Sequence, residues 1–177
     1  MIDIKTQRLH LRTPVIADAE AIHVEKIRVW HDLQSWMSWA TDDSKSIDAL
    51  KMQFIEPAEA QNHVTGFCRE TGQFVLCTGA TDKGNGVFEV GYWVARDFRG
   101  RGLATEAAQA MIDYAFDTLS ARQVYICHYE GNEGSRRVIE KLGFKKTGVV
   151  KDAHKRFTDG VAMDKHEYVM TREDRSR

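Results

Sequence analysis

The sequence lacks the features that would place it outside the ordinary globular proteins. No apolar run is long enough to span a bilayer, no signal peptide is recognisable, and only two of the 177 residues are proline. The net charge of −1 gives no strong field that would attract nucleic acid. We therefore expect no direct binding of nucleic acid and no association with membranes.

Cysteine is also scarce, since Cys68, Cys77 and Cys127 are the only three. An odd number without metal-ligand spacing is typical of reduced, mostly buried thiols rather than of disulfides or a zinc site. The seven histidines show no pairing at ligand spacing either. The sequence therefore predicts a cytoplasmic protein that holds no metal.

The length and the apolar pattern predict one domain, residues 1–177, of mixed α/β class. Helical patterns run from Asp18, a candidate cap, to about 29 and from Ser44 or Ser46 towards Pro57, with a long helix to about 119 and a short one after Asn132. The order of elements implies a sheet that is partly parallel at its centre. Strand-like segments lie at 2–5, 8–12, 64–70, 73–82, 87–95, 123–128, 145–153 and 165–171.

The most informative stretch is RGRGLATEA, residues 99–107, which follows a strand-like segment and opens the long helix. The first amides of a helix have no internal partner, and the helix dipole favours negative charge at that end. Gly100 and Gly102 remove the Cβ atoms that would keep a phosphate away from those amides. This turn therefore predicts a ligand that carries phosphate groups.

Three kinds of phosphate-binding site can be compared with this turn: a P-loop, a dinucleotide-binding fingerprint and a site for coenzyme A. A P-loop requires Gly-Lys-Ser/Thr at its end, which is absent. A dinucleotide fingerprint requires Gly or Ala where Thr105 stands, and an acid on the next strand, which 123–128 lacks. The third ligand is coenzyme A, with its diphosphate on the turn. The alternative without a ligand is a plain glycine-rich turn before a core helix.

The turn resembles the signature of the GNAT superfamily of N-acetyltransferases, Gln/Arg-x-x-Gly-x-Gly/Ala. Residues 97–102 match it except at Asp97, and residues 99–104 match it as well. Residues 132–144 resemble the superfamily's Asn-x-x-Ser/Ala-x-x-x-x-Glu-Lys-x-Gly-Phe segment. Residues 6–13, 18–22, 33–39 and 89–94 resemble the RimJ/RimL-type branch, which acetylates the N-termini of ribosomal proteins. The resemblance extends from about residue 5 to 170.

The resemblance implies a GNAT fold, a sheet of about seven strands splayed open beside the turn and flanked by helices. Acetyl-CoA would lie in the gap, with its pantetheine arm along the strand and its diphosphate on the turn. Arg136 is a further candidate for the 3′-phosphate, with a plain surface arginine as the alternative. The residues expected to bind acetyl-CoA are Tyr92, Trp93, Val94, Arg99, Gly100, Arg101, Gly102, Leu103, Ala104, Asn132 and Arg137.

The implied chemistry is direct attack of a neutral amine on the thioester in a ternary complex. Many superfamily members supply a tyrosine as acid at the position that is Ile139 here. We therefore expect Ser135 to assist the leaving thiolate and Glu89 to accept the amine proton through water. The alternatives are a helix-start role for Ser135 and a cross-strand role for Glu89.

The expected function is an acetyl-CoA-dependent N-acetyltransferase whose acceptor is the N-terminal α-amino group of a ribosomal protein. Trp36, Trp39 and Tyr129 are expected to line the acceptor pocket, although aromatic residues at such spacing are more often part of a core. A small-molecule amine such as a polyamine or an antibiotic is an alternative acceptor. A non-catalytic CoA-binding module is another alternative, and a monomer or a homodimer is expected.

Overall fold

The computed structural model describes residues 1–55 and 61–175. Within these residues one mixed sheet has the strand order β1-β2-β3-β4-β5-β6-β8-β7. The strands are β1 Asp3–Lys5, β2 Leu9–Arg12, β3 Gln61–Cys68, β4 Phe74–Asp82, β5 Val87–Val94, β6 Gln123–Tyr129, β7 Lys145–Lys155 and β8 Ala162–Thr171. The helices are α1 Ala19–Arg28, α2 Trp30–Trp36, α3 Ile47–Ile55, α4 Leu103–Asp117, α5 Glu133–Lys141 and α6 Arg172–Arg175.

The centre of the sheet is parallel, as the order of elements predicts. β5 and β6 pair in parallel, whereas the other neighbouring strands pair antiparallel. The described sheet has eight strands rather than the seven that the resemblance implies. The additional strand is the edge strand β1, which pairs with β2 from Asp3 opposite Arg12 to Lys5 opposite His10. The alternation of residues 2–5 predicts this strand.

Helices cover both faces of the sheet. On one face α4 buries an alanine-rich stripe, including Ala107, Ala108 and Ala115, because small side chains let a helix approach a sheet closely. On the other face Ile22 of α1 and Leu50 of α3 pack with residues of β4 and β5. Successive side chains of β5 point to opposite faces of the sheet, so neighbouring residues of this strand pack against different helices.

The helix termini show which local predictions hold. Asp18 lies at the N-cap position of α1 as predicted, but its side chain makes no capping hydrogen bond, because its carboxylate binds the Arg12 guanidinium at 2.7 Å and the Val15 amide at 2.8 Å. Ser46 does cap α3, since its hydroxyl accepts the Ala49 amide at 3.1 Å. Pro57, predicted to end that helix, lies outside the described residues. α2 is an element that the sequence analysis did not predict.

Candidate active site

The turn between β5 and α4 presents a row of main-chain amides at the N-terminus of α4. Gly100 and Gly102 adopt left-handed φ values of 72° and 76°, which favour glycine. A Cβ at Gly100 would meet no atom within 4 Å, so the backbone conformation rather than packing calls for glycine there. Across residues 1–55 and 61–175, the amides of residues 100–105 donate to no acceptor. These orphan donors at a helix N-terminus fit a diphosphate group.

The N-terminal segment braces this turn. Arg8 donates to the Arg101 carbonyl at 2.8 Å and forms an ion pair with Glu106 of α4 at 2.6 Å. Burial favours a higher pKa for Glu106, but hydrogen bonds from the Thr6 hydroxyl and from Arg8 outweigh it, and the pKa is lowered. Glu106 therefore stays ionised and fixes the first turn of α4. The sequence alone does not predict these contacts, because no local pattern links Arg8 to residues as distant in the chain as Arg101 and Glu106.

The sheet opens beside the turn. β5 and β6 pair only from Val87 with Gln123 to Glu89 with Tyr125. Beyond that point β5 stays paired with β4 and β6 stays paired with β8, so the two strands separate. A cavity of about 470 Å³ is lined from both strands and extends to residues of β3, β4 and the first three helices. An extended ligand can therefore insert where a sheet partner is lacking.

Two hydroxyl groups meet in this cavity. The Tyr92 hydroxyl lies 3.2 Å from Ser135 Oγ. Asn132 caps α5, and its side chain accepts the Ser135 amide at 3.1 Å, which fixes Ser135 on the first turn. Burial raises the pKa of Tyr92 to about 12, although the hydrogen bond to Ser135 opposes the shift. Tyr92 therefore stays protonated and able to donate a hydrogen bond.

The sequence predicts that Tyr92 binds CoA through its main chain. It gives no role to the Tyr92 hydroxyl. The available signal was the alternation along β5. Phe88 and Val90 are buried, so Tyr92 shares their face of the sheet, the face that α4 covers.

The cavity also reaches the aromatic residues predicted for the acceptor. Trp36, Trp39 and Tyr129 all line it. Glu89 lines it too, and its carboxylate forms an ion pair with Lys83 at 3.0 Å. Among the described lining residues Glu89 supplies the only carboxylate. Gly91 also lines the cavity, and a Cβ there would meet no atom within 4 Å among the residues that the structure describes.

A comparison with protein-family models identifies the family of this chain. Residues 8–145 match the model described as "Acetyltransferase (GNAT) domain". The chain belongs to the GNAT acetyltransferase family. It is an N-acetyltransferase, and acetyl-CoA is its acetyl donor.

Relatives of this GNAT chain differ in their acceptors. The uncharacterised N-acetyltransferase p20 of Bacillus licheniformis is 30% identical over 162 residues, which cover 88% of this chain and 89% of p20. The putative ribosomal N-acetyltransferase YdaF of Bacillus subtilis (strain 168) is 44% identical over 71 residues, 40% of this chain and 39% of YdaF. The spermidine N(1)-acetyltransferase of Escherichia coli (strain K12) is 33% identical over 67 residues, 38% of this chain and 35% of that enzyme.

A solved structure shows the same fold. The ribosomal-protein-S5-alanine acetyltransferase from Vibrio fischeri superposes with a TM-score of 0.86 at 18% identity, and the match covers 98% of both chains. The GNAT fold, with helices on both faces of a mixed sheet, is therefore confirmed.

Asp97 stands where the GNAT signature has Gln or Arg. Its carboxylate pairs with Arg28 of α1 at 3.0 Å. Arg99 pairs with Asp32 of α2 at 2.6 Å and also donates to the Val94 carbonyl at 3.2 Å. Two ion pairs thus connect the first two helices to the turn. Asp97 in place of Gln or Arg changes which group the side chain at this position binds. The amides of the turn remain accessible.

The predicted CoA-binding residues are not equivalent in the structure. The Leu103 side chain is buried in the core at 7% exposure, and Trp93 packs against Phe74 with ring centroids 5.4 Å apart. Leu103 can therefore offer only main-chain groups to CoA, whereas the half-buried Trp93 also lines the cavity. Ala104 is half-buried on the first turn of α4.

The predicted arginines also differ. Arg136 forms ion pairs with two glutamates of its own helix at 2.7 and 2.6 Å. Arg101 and Arg137 are exposed, and in the part of the chain that the structure describes neither forms an ion pair with a carboxylate. Arg101 and Arg137 are therefore better placed than Arg136 to bind the 3′-phosphate.

The described residues show neither a metal cluster nor a membrane span. No group of three or more His, Cys, Asp and Glu side chains in these residues is arranged to hold a metal ion. No helix among them is both long enough and apolar enough to cross a bilayer.

Proposed function

We propose that this GNAT enzyme acetylates the α-amino group of a protein N-terminus, with a ribosomal protein as the expected class of acceptor. The observation that carries the proposal is the lining of the cavity. Its described part includes the aromatic side chains of Trp36, Trp39 and Tyr129, which suit a peptide, and its one carboxylate, Glu89, is already paired with Lys83. A polyamine carries several positive charges and would favour a strongly acidic cavity. The ribosomal names of YdaF and of the Vibrio fischeri enzyme support the same choice.

An α-amino group suits the weak base that this site offers. Its pKa is about 7.7–8.0, against about 10.4 for a lysine, so a useful fraction is neutral near pH 7. We assign Glu89 the role of accepting the remaining proton through a water molecule. The carboxylate is anchored by Lys83, which orients it without removing its second oxygen from reach.

The second requirement of the reaction is stabilisation of the sulfur that leaves as a thiolate. Bound acetyl-CoA supplies the thioester, whose carbon forms the new bond to the amine nitrogen as the C–S bond breaks. Ser135 and Tyr92 donate hydrogen bonds to the developing thiolate, and Asn132 holds Ser135 in place. The amides of residues 100–105 hold the diphosphate.

A thiol-release assay tests this proposal. A panel of peptides with free N-termini is compared with spermidine and an aminoglycoside at equal acetyl-CoA. We expect turnover of peptides. Turnover of spermidine or the aminoglycoside alone would replace the proposed acceptor, and CoA binding by calorimetry without thiol release from any amine would indicate a CoA-binding module.

A small-molecule amine is the second candidate acceptor. The partial match to a spermidine N(1)-acetyltransferase favours it, although that match covers only 38% of this chain. A monomer or homodimer in the cytoplasm stays a prediction, and light scattering after size-exclusion chromatography measures the oligomeric state.

A further inference from the structure

A buried lysine faces the cavity from α1. Lys26 is only 3% exposed, yet it belongs to the residues that line the cavity. It lies in helical register with Ile22, on the buried face of a helix that otherwise packs apolar side chains. A lysine at such a position is uncommon, because the ammonium group normally reaches water.

The surroundings of Lys26 satisfy only part of its hydrogen-bonding capacity. Its ammonium donates to the Ser44 carbonyl. The Trp30 and Trp39 rings lie 5.5 and 5.6 Å from Nζ, within range of cation–π attraction. An ammonium group has three N–H donors. Two of them have no hydrogen-bond partner among residues 1–55 and 61–175.

No described side chain neutralises this charge. Lys26 forms no ion pair in the described part of the chain. Cys77 interacts electrostatically with Lys26, but burial raises the pKa of Cys77 to about 12, so it is a neutral thiol. Burial also lowers the pKa of Lys26. A charge buried without a counterion is costly, so an anion entering the cavity would be bound strongly.

We infer that Lys26 binds a carboxylate carried by the acceptor close to its reactive amine. The inference rests on the proposed function and makes it more specific. For a protein N-terminus, the carboxylate is the side chain of an aspartate or glutamate among the first few residues. For a smaller acceptor, it is the carboxylate of an amino acid or dipeptide. The Trp39 ring, which lines the cavity beside Lys26, lies next to the bound group.

Matched pairs of acceptors test the inference. Peptide amides with the same first residue carry Glu or Gln at position 2, 3 or 4, and a dipeptide with a free C-terminus is compared with its amide. The enzymes are the wild type, Lys26→Met and Lys45→Met. Lys45 lies 5.8 Å from the same Trp30 ring but is exposed and is not among the described residues that line the cavity, so it is the matched control.

For the wild type we expect kcat/KM to favour one acidic acceptor over its neutral partner by about tenfold or more, the effect of a hydrogen bond to a charged group. Lys26→Met abolishes this preference and Lys45→Met keeps it, while the KM for acetyl-CoA stays the same. The position of the preferred carboxylate distinguishes a side chain from a C-terminus.

Equal turnover of acidic and neutral peptides by the wild type would overturn the inference and leave the proposed function intact. A preference that survives in Lys26→Met would overturn it as well. Turnover of spermidine alone would overturn both. If Lys26→Met does not fold, Lys26→Gln replaces it. The ratio of wild-type kcat/KM for acidic and neutral acceptors tests the inference in either case.

Discussion

Ser135 and Tyr92 are the residues on which departure of the thiolate depends. Their hydroxyls lie 3.2 Å apart, and the high pKa of Tyr92 keeps its proton available for a hydrogen bond. Removing one such donor from a developing negative charge costs about 10²- to 10³-fold in oxyanion holes. The same reasoning applies to a sulfur that gains negative charge.

We predict that Ser135→Ala and Tyr92→Phe each lower kcat by about 10- to 100-fold, because each removes one hydrogen-bond donor to the developing thiolate. The KM for acetyl-CoA changes little in both. Steady-state kinetics with one fixed acceptor measure both effects. Ser35→Ala is the control, since its hydroxyl bonds to the His31 carbonyl within α2. An unchanged kcat in Ser135→Ala would remove Ser135 from the mechanism.

Gly91 permits a second prediction at the residue scale. A Cβ there would meet no atom of the described residues within 4 Å, and its backbone does not need a left-handed φ. Gly91→Val should therefore fold and project a side chain into the cavity, so that KM for the acceptor rises while calorimetric CoA affinity stays the same. Gly148→Val, on β7, is the control. Equal loss of CoA affinity would contradict our placement of the two substrates.

How much of the site the sequence predicts depends on the range of its interactions. The turn at Gly100 and Gly102 follows from local rules, because glycine pattern, strand and helix are contiguous. The contact between Tyr92 and Ser135 joins residues 43 apart and needs the fold before it exists. Lys26 appears in the sequence only as a polar residue in an apolar register.

Among the elements, α4 depends on contacts made outside its own sequence. Its first turn carries Glu106, which binds the Arg8 guanidinium, the Arg8 amide and the Thr6 hydroxyl. This carboxylate connects the N-terminal segment to the turn that presents the amides. Loss of its charge should therefore weaken both the fold and the binding of CoA.

We predict that Glu106→Gln lowers the free energy of unfolding by roughly 1 kcal/mol and weakens CoA binding, because a charged acceptor with three donors becomes neutral. The folded-state pKa of Glu106 is lowered, so its contribution is complete above the unfolded pKa of about 4.3 and is lost as pH falls through the folded value.

The difference between wild type and Glu106→Gln should therefore be constant near pH 7 and shrink below about pH 4. Urea titrations at several pH values measure it. Glu20→Gln, at an exposed position in the first turn of α1, is the control. A difference that grows on acidification would contradict the assignment.

The elements that the sequence predicts least well are those whose signals conflict. α2 has only the seven residues WHDLQSW, too few for a stable helix on its own, and tertiary contacts of Trp30 and Leu33 stabilise it. Asp18 has the sequence signature of a cap, but Arg12 competes for its carboxylate. Where such competition is absent, as at Ser46, the cap prediction is correct.

For the whole molecule we propose that residues 1–177 fold as one domain. The described sheet is continuous from β1 to β7, and helices cover both faces of it. We predict a single cooperative transition in urea, with tryptophan fluorescence and far-UV circular dichroism coinciding. The tryptophans lie at residues 30, 36, 39 and 93, whereas circular dichroism reports all helices. Two separated transitions would contradict a single domain.

The amides of residues 100–105 are the proposed binding site of the diphosphate, and the binding of acetyl-CoA depends on them. Amide chemical shifts in ¹⁵N-labelled protein test this directly during titration with CoA, with pantetheine, which lacks the diphosphate, as the control. We predict large shifts of these six amides with CoA and small ones with pantetheine. Saturated CoA binding that leaves the six amides unshifted would contradict the account.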